Sequence, residues 1–264
     1  MDPSPKRFDI RPYIFNFILG SAIGALIYFE FFAHPRRIGF YCDDQSIRKP
    51  YLPETIPEYM LLSGLGIISA ILVCEGIRYF SVKEVYVYKK KLINQIIPNF
   101  LKYYGYSIMT FLLTRGTNLA FKFVVGRLRP HFFAVCQPIF DELYCVNNTY
   151  IENYECSETD QATIEEARKS FFSGHTSETM AVAVFLVIYL HHRLPVSSYT
   201  VLIRHIVQVS LIGISLYTAY TRIIDNMHHL SDIVVGIIAG AIIGILPVSS
   251  NSRYKIIWTA LEAR

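Results

Sequence analysis

The sequence predicts an all-α integral membrane protein with six transmembrane helices, and three observations carry that expectation. Hydrophobic residues make up 52% of the 264 and charged residues only 17%, where a soluble domain carries about a quarter charged. Mean hydropathy is positive, +0.33. Six apolar runs come close to the roughly 20 residues that one helical crossing needs.

In chain order the runs fall at about 13–32, 59–76, 104–125, 176–190, 201–220 and 231–248. The segment before the first is too polar for a secretory signal peptide, so that run is expected to stay as a signal anchor. Glu30 lies near its far end. Arg115 and Asn118 interrupt the third run. An ionisable group at that depth must face protein or water, which predicts an internal ion pair with Glu75 or Glu178. Gly20 and Gly24, then Gly236, Gly240 and Gly244, form small-xxx-small faces that let helices approach closely. Packing within the chain is expected there, with a homo-oligomer seam as the alternative. No repeat or low-complexity stretch divides the chain. One membrane-embedded domain over 1–264 is expected, with its core at about 59–249 and outer loops at about 33–58, 126–175 and 221–230.

Charge sets the orientation. Arg78, Lys83, Lys89, Lys90, Lys91 and Lys102 face a single acid, Glu84, between the second and third runs. Six spans put Lys6, Arg7, Arg11, Arg193, Arg204, Arg253 and Lys255 on that same side. By the positive-inside rule both termini are cytoplasmic. The opposite side carries 126–173, rich in acids, with an N-glycosylation sequon at Asn147. Cys42, Cys136, Cys145 and Cys156 also fall there. On an oxidising side they allow one or two disulfides, with the pairing left open. Cys74 falls in an apolar run. The net charge of +4 is small, and no basic stripe with interleaved aromatics appears, which argues against a nucleic-acid partner.

Three polar clusters sit where the apolar runs end. The stretch 221–232, Thr-Arg-Ile-Ile-Asp-Asn-Met-His-His-Leu-Ser-Asp, joins the last two runs. His228 and Asp232 are four apart, so on a helix they share a face and the carboxylate can hold an imidazole N–H. That would leave the other ring nitrogen free as base or nucleophile. Lys122 and Arg129 flank the end of the third run, where Gly126 and Pro130 break the helix. A guanidinium fork and an ammonium can there close over one anion. Arg127 fits a snorkelling role at the boundary better than Arg129 does. Ser173-Gly174-His175 precedes the fourth run: an N-cap, a residue that permits close approach, and a histidine at a helix N-terminus that attracts anions. Alone, each cluster reads as well as an ordinary helix end. Six spans bring all three to one surface, and together they suit a tetrahedral oxyanion.

Lys122-x6-Arg129-Pro130, Ser173-Gly174-His175 and Arg222-x5-His228-x3-Asp232 resemble the three-part signature of the type 2 phosphatidic acid phosphatase superfamily. The likeness is closest to the integral-membrane lipid phosphate phosphatases of the Wunen type. It extends through Gly39-Phe-Tyr-Cys-Asp-Asp-Gln-Ser-Ile, Gly126-Arg-Leu-Arg-Pro-His-Phe and His228-His-Leu-Ser-Asp-Ile-Val-Val-Gly. Phe172 stands where the family often has Pro, and Thr221 where it has Ser. An aromatic is common at the first position in lipid phosphatases, and Thr keeps the hydroxyl at the second.

The resemblance implies the haloperoxidase-like helical core and metal-independent hydrolysis of lipid phosphate monoesters. The substrates would be phosphatidate, lysophosphatidate, sphingosine 1-phosphate or ceramide 1-phosphate at the outer leaflet. His228 would attack phosphorus and Asp232 would orient it. His175 would act as general acid and then base. Lys122, Arg129, Ser173, Gly174 and Arg222 would hold the phosphate oxygens. No cofactor is implied, and His229 has no role in the pattern. A metal site from His175, His228, His229 and Asp232 is disfavoured, since adjacent histidines diverge on a helix and nearby arginines repel a divalent cation. A catalytically silent scaffold or lipid-binding relative is the alternative, but no motif His or Arg is lost. A sugar phosphate or polyprenyl diphosphate substrate is a third reading. The C-terminal Ala-Leu-Glu-Ala-Arg is no retention signal, which points to the plasma membrane ahead of secretory-pathway membranes.

Overall fold

A computed structural model describes residues 6–7, 11–28, 32–79, 86–88, 91–93, 96–140, 145, 148–157, 160–193 and 198–249. The sequon Asn147, Glu30, and the cations Lys83, Lys89, Lys90, Arg253 and Lys255 lie outside the described residues. The long helices are α1 (Arg11–Tyr28), α2 (Glu58–Tyr79) and α3 (Ile96–Val125). After the short α4 (Phe132–Cys136) and α5 (Gln161–Glu166) come α6 (Gly174–Arg193), α7 (Ser198–Ile224) and α8 (Leu230–Ser249).

Each predicted apolar run falls on one long helix, and the chain is all-α in its core. The third run was expected from 104, but α3 starts eight residues earlier at Ile96. Among the described residues, Glu58–Glu75, Pro98–Val125 and Val201–Ile224 are long and apolar enough to cross a membrane, and Leu230–Leu246 is a shorter apolar stretch. The fourth run misses that standard for a physical reason. α6 packs against α2, α3, α7 and α8, so protein rather than lipid surrounds it. Its first turns bury Thr176, Ser177, Glu178 and Thr179. A helix solvated by its neighbours has no need of a lipid-like surface.

The α6–α8 seam explains the glycine repeat. A Cβ on Gly240 would lie 2.4 Å from the Ser177 carbonyl oxygen, and one on Gly244 2.5 Å from that of Ala181. The two backbones touch, so this face packs within the chain. A Cβ on Gly24 would meet nothing within 4 Å among the described residues.

Side chains of α6 also centre the apolar core. Phe185, Leu186, Tyr189 and Leu190 cluster with Val73, Tyr103 and Leu211, and the Tyr189 hydroxyl donates to the Val73 carbonyl at 3.0 Å.

Short strands sort the connections to two ends of the bundle. At one end β1 (Lys6–Arg7) pairs in parallel with β3 (Tyr86–Tyr88), which pairs with β4 (Lys91–Ile93). This sets the basic N-terminal segment beside the basic α2–α3 connection. At the other end β2 (Phe40–Tyr41) pairs with β6 (Tyr150–Ile151), and β5 (Pro138–Ile139) with β7 (Glu155–Cys156). The disulfides are Cys42–Cys145 and Cys136–Cys156, with Cα separations of 5.6 and 4.8 Å. They staple a second apolar cluster of Phe40, Ile47, Leu128, Phe132, Val135 and Ile164. This stapled cap sits over the bundle end where α3 and α7 finish and α6 and α8 begin.

Candidate active site

At the capped end lies a cavity of about 480 Å³, lined by Lys122, Arg129, Gly174, His175, Arg222 and His228 among others. Six of the eight predicted catalytic and phosphate-binding residues therefore face one space. Ser173 and Asp232 are fully buried and support it from behind.

The chain ends its helices so as to build this wall. Lys122 occupies the last turn of α3. Gly126 then turns at φ +62°, with its N–H donating to the Lys122 carbonyl at 3.1 Å. Only glycine fits: a Cβ would stand 2.1 Å from the Arg36 carbonyl oxygen. The chain leaves this turn extended, and Arg129 N–H donates to the Ala167 carbonyl at 2.8 Å. That bond brings Arg129 beside α5 and the Ser170–Ser173 segment. Ser173 takes the N-cap position of α6, and its hydroxyl accepts from Thr176 Oγ1 at 3.0 Å. Gly174 packs its Cα towards Asn118, whose Nδ2 donates to the Phe172 carbonyl at 2.5 Å.

Arg222, buried, comes from the last turn of α7. Its Nη2 donates to the Ile56 carbonyl and to Asp225 Oδ2, both at 3.1 Å, while Nη1 lies 3.5 Å from Glu54 Oε2. Asp225 also accepts from the N–H and hydroxyl of Thr55, at 2.8 and 2.7 Å. The segment before α2 is thus strapped across the cavity mouth. His131, buried, fixes the α7–α8 turn through Nδ1 and the Asn226 carbonyl at 2.9 Å. Burial, then its neighbour Arg129, lowers its pKa to about 4.

His228 and Asp232 depart from the expected direct pairing. His228 Nδ1 lies 2.7 Å from the Ser170 carbonyl oxygen and 3.9 Å from Asp232 Oδ2. A carbonyl only accepts, so Nδ1 carries the proton and Nε2 keeps its lone pair. Asp232 instead accepts from Arg127 Nη1 at 2.5 Å, the Ser170 hydroxyl at 2.6 Å and the His229 N–H at 3.1 Å. Its influence on His228 passes through Ser170. Burial, then Arg129 and Lys122, push the His228 pKa well below its ordinary value. The imidazole is held neutral, as a nucleophile requires.

His175 stands opposite at the start of α6, and its buried Nε2 has no hydrogen-bond partner among the described residues. Arg115 pairs with Glu178 at 3.3 Å, one of the two expected partners, and with Glu58. His229 turns away from the cavity, with Nε2 3.0 Å from the Leu128 carbonyl.

Ser170 and Arg127, which bond to Asp232 and, for Ser170, to His228, are the residues of the candidate site that sequence reasoning missed. Ser170 lies three residues before Ser173 without a helix to give the spacing meaning, and Arg127 read as a boundary cation. Glu166 and Lys169 also line the cavity.

Comparisons with known proteins show the family of the chain. The model of the PAP2 superfamily matches residues 93–255. Phospholipid phosphatase 2 of Homo sapiens is 34% identical over 220 residues, covering 83% of this chain and 75% of the relative. Phospholipid phosphatase 1 of Rattus norvegicus is 35% identical over 215 residues, covering 81% and 75%. No solved structure matches the chain.

Proposed function

The chain belongs to the PAP2 superfamily and is a phosphatase of the membrane; on that premise we propose that it hydrolyses lipid phosphate monoesters through a phosphohistidine. Phosphatidate, lysophosphatidate, sphingosine 1-phosphate and ceramide 1-phosphate are the substrate class. The observation that carries the reading is the neutral, Nδ1-protonated His228 in one cavity with Lys122, Arg129 and Arg222, glutamates lining the same space, together with His175 Nε2, which has no hydrogen-bond partner among the described residues.

In this mechanism His228 Nε2 attacks phosphorus, a P–N bond forms and the P–O bond to the lipid breaks. Burial, then Arg222 and Lys122, hold the His175 pKa at about 3 in the empty site, so His175 takes up a proton only as the phosphate dianion enters among these cations, and it gives that proton to the departing alkoxide. It then takes a proton from water, which attacks phosphorus and releases inorganic phosphate and neutral His228. Lys122, Arg129 and Arg222 neutralise the oxygens, and the N-terminal N–H groups of α6 at Gly174 add donors, with Ser173 holding that end in place. Asp232 positions His228 by way of Ser170. These cations take the charge-neutralising part that Mg²⁺ plays in other phosphoryl transfers, so no metal is needed.

The reading extends to one domain with six spans, active site outside and termini cytoplasmic. It includes glycosylation at Asn147 and residence in the plasma membrane. The disulfides at the capped end support an oxidising side there.

The test is phosphate release from phosphatidate in detergent micelles with EDTA, comparing wild type with His228→Ala. Release that survives EDTA and is lost in the variant is expected. Loss with EDTA would call for a metal, and no release by folded wild type would favour a silent scaffold.

A further inference from the structure

Arg129 is an incompletely satisfied cation of the cavity. A guanidinium has five N–H donors. Here Nη2 donates to Glu166 Oε1, Nη1 reaches only Met227 Sδ at 3.6 Å, and buried Nε has no partner among the described residues. Arg222, by contrast, is tied to a backbone carbonyl and to Asp225.

Glu166 closes α5, and its other oxygen, Oε2, lies 3.5 Å from Lys169 Nζ. Lys169 is buried and lines the same cavity, which no sequence motif assigned to it. The Glu166 carboxylate therefore presents one oxygen to a guanidinium and the other to an ammonium, at the wall of the proposed phosphate cavity. Two oxygens of a phosphate would make the same contacts. Burial raises the Glu166 pKa, but Arg129, Lys122 and Lys169 outweigh it and bring the carboxyl down to about 2. It is an anion at any physiological pH.

We propose that Glu166 is a gate: in the empty site its carboxylate occupies the oxyanion subsite between Arg129 and Lys169, substrate phosphate displaces it, and Lys169 is a further phosphate-binding residue. The identity of that substrate rests on the phosphatase reading above. Displacement is open to Glu166 because its side chain is 46% exposed at the cavity rim. The Asp232 side chain, at 0% exposure, has no such freedom. A displaceable anion lowers affinity for every phosphate, and so favours a substrate that brings further binding energy from its lipid portion.

The rival role for Glu166 is to position Arg129, and the two differ in sign. Full-length wild type, Glu166→Gln and Lys169→Met in detergent micelles would be titrated calorimetrically with inorganic phosphate. A gate lowers the apparent affinity by the fraction of molecules that are open, so Glu166→Gln should tighten phosphate binding by roughly 3- to 10-fold. Lys169→Met should weaken it by about tenfold, through loss of a charge-assisted contact. Unchanged or weaker binding in Glu166→Gln would overturn the gate, as would unchanged binding in Lys169→Met. If Glu166→Gln is not recovered folded, Lys169→Met decides alone. The titration needs no turnover. Wild type that fails to release phosphate from phosphatidate, while these shifts hold, would remove the lipid substrate and support the gate.

Discussion

The Ser170 carbonyl accepts the Nδ1 proton of His228 at 2.7 Å, in the place that the i,i+4 spacing assigns to Asp232. The helix that would have joined His228 to Asp232 starts only at Leu230, so the two side chains do not share a helical face. Ser170 bridges them, its carbonyl on the imidazole and its hydroxyl on the buried carboxylate at 2.6 Å. The ring is oriented by backbone, and the carboxylate orients the backbone.

That arrangement sets the expected effect of Asp232→Asn. Where a carboxylate holds the histidine directly, the amide costs about 10⁴ in kcat by trapping the wrong tautomer. Here the Ser170 carbonyl fixes the tautomer, so a loss of roughly 10- to 100-fold is expected, in line with outer-shell partners. Steady-state kinetics on phosphatidate measure it. A loss near 10⁴ in a folded variant would place the carboxylate on the imidazole during turnover.

Arg127→Met tests the other side of Asp232. The pair at 2.5 Å joins a carboxylate of 0% exposure to a guanidinium of 35% exposure. Breaking a buried pair costs about 3–5 kcal/mol, and partial exposure of Arg127 reduces this to about 1–3. A lower midpoint of thermal unfolding in micelles is expected, with reduced phosphate release as Asp232 loses its place. An unchanged midpoint would mean that Ser170 and the His229 N–H suffice for the carboxylate.

What the sequence conveys and what it hides follow from range. Hydropathy locates the six long helices because each apolar run is local. The motif residues Lys122, Arg129, His175, Arg222 and His228 are legible because three clusters, each alone no more than an ordinary helix end, fall on one side of six predicted spans and together resemble one signature. The link through Ser170 was not visible, since it joins residues 58 apart by a backbone carbonyl, and no side-chain pattern encodes that. Arg127 was misread because a snorkelling arginine and one paired with a distant buried carboxylate have the same sequence. The disulfide pairing likewise needed the strand register between Phe40–Tyr41 and Tyr150–Ile151.

The His228 environment predicts the acid limb of the pH profile. Burial, then Arg129 and Lys122, disfavour the imidazolium and put its pKa well below 6.5. On the proposed mechanism His228 therefore stays neutral as pH falls through 6.5, and the loss of kcat attributable to it should begin below that value. The sign for stability is the same. The unfolded chain takes up at about pH 6.5 the proton that the folded site refuses, so stability falls as pH drops below about 6.5. kcat with phosphatidate from pH 4 to 8 reads the first effect. An acid limb of wild-type kcat with its midpoint at or above pH 6.5 would contradict it.

Two glycines that read alike should respond differently to one methyl group. In Gly240→Ala the new Cβ would lie 2.4 Å from the Ser177 carbonyl oxygen and 3.0 Å from Met180 Cβ. Neither backbone can yield alone, so α8 must shift off α6, one turn below His175. Overpacking of this kind costs about 1–3 kcal/mol, and the shift also moves His175 relative to His228, because His228 stands in the turn that leads directly into α8. A lower unfolding midpoint together with reduced kcat is expected. Gly24→Ala meets nothing within 4 Å. There alanine gains helix propensity of up to about 1 kcal/mol, so activity should hold and the midpoint should stay or rise. A loss in Gly24→Ala comparable to that in Gly240→Ala would show that α1 packs against a partner, in which case its small-residue face would be a seam between copies of this chain.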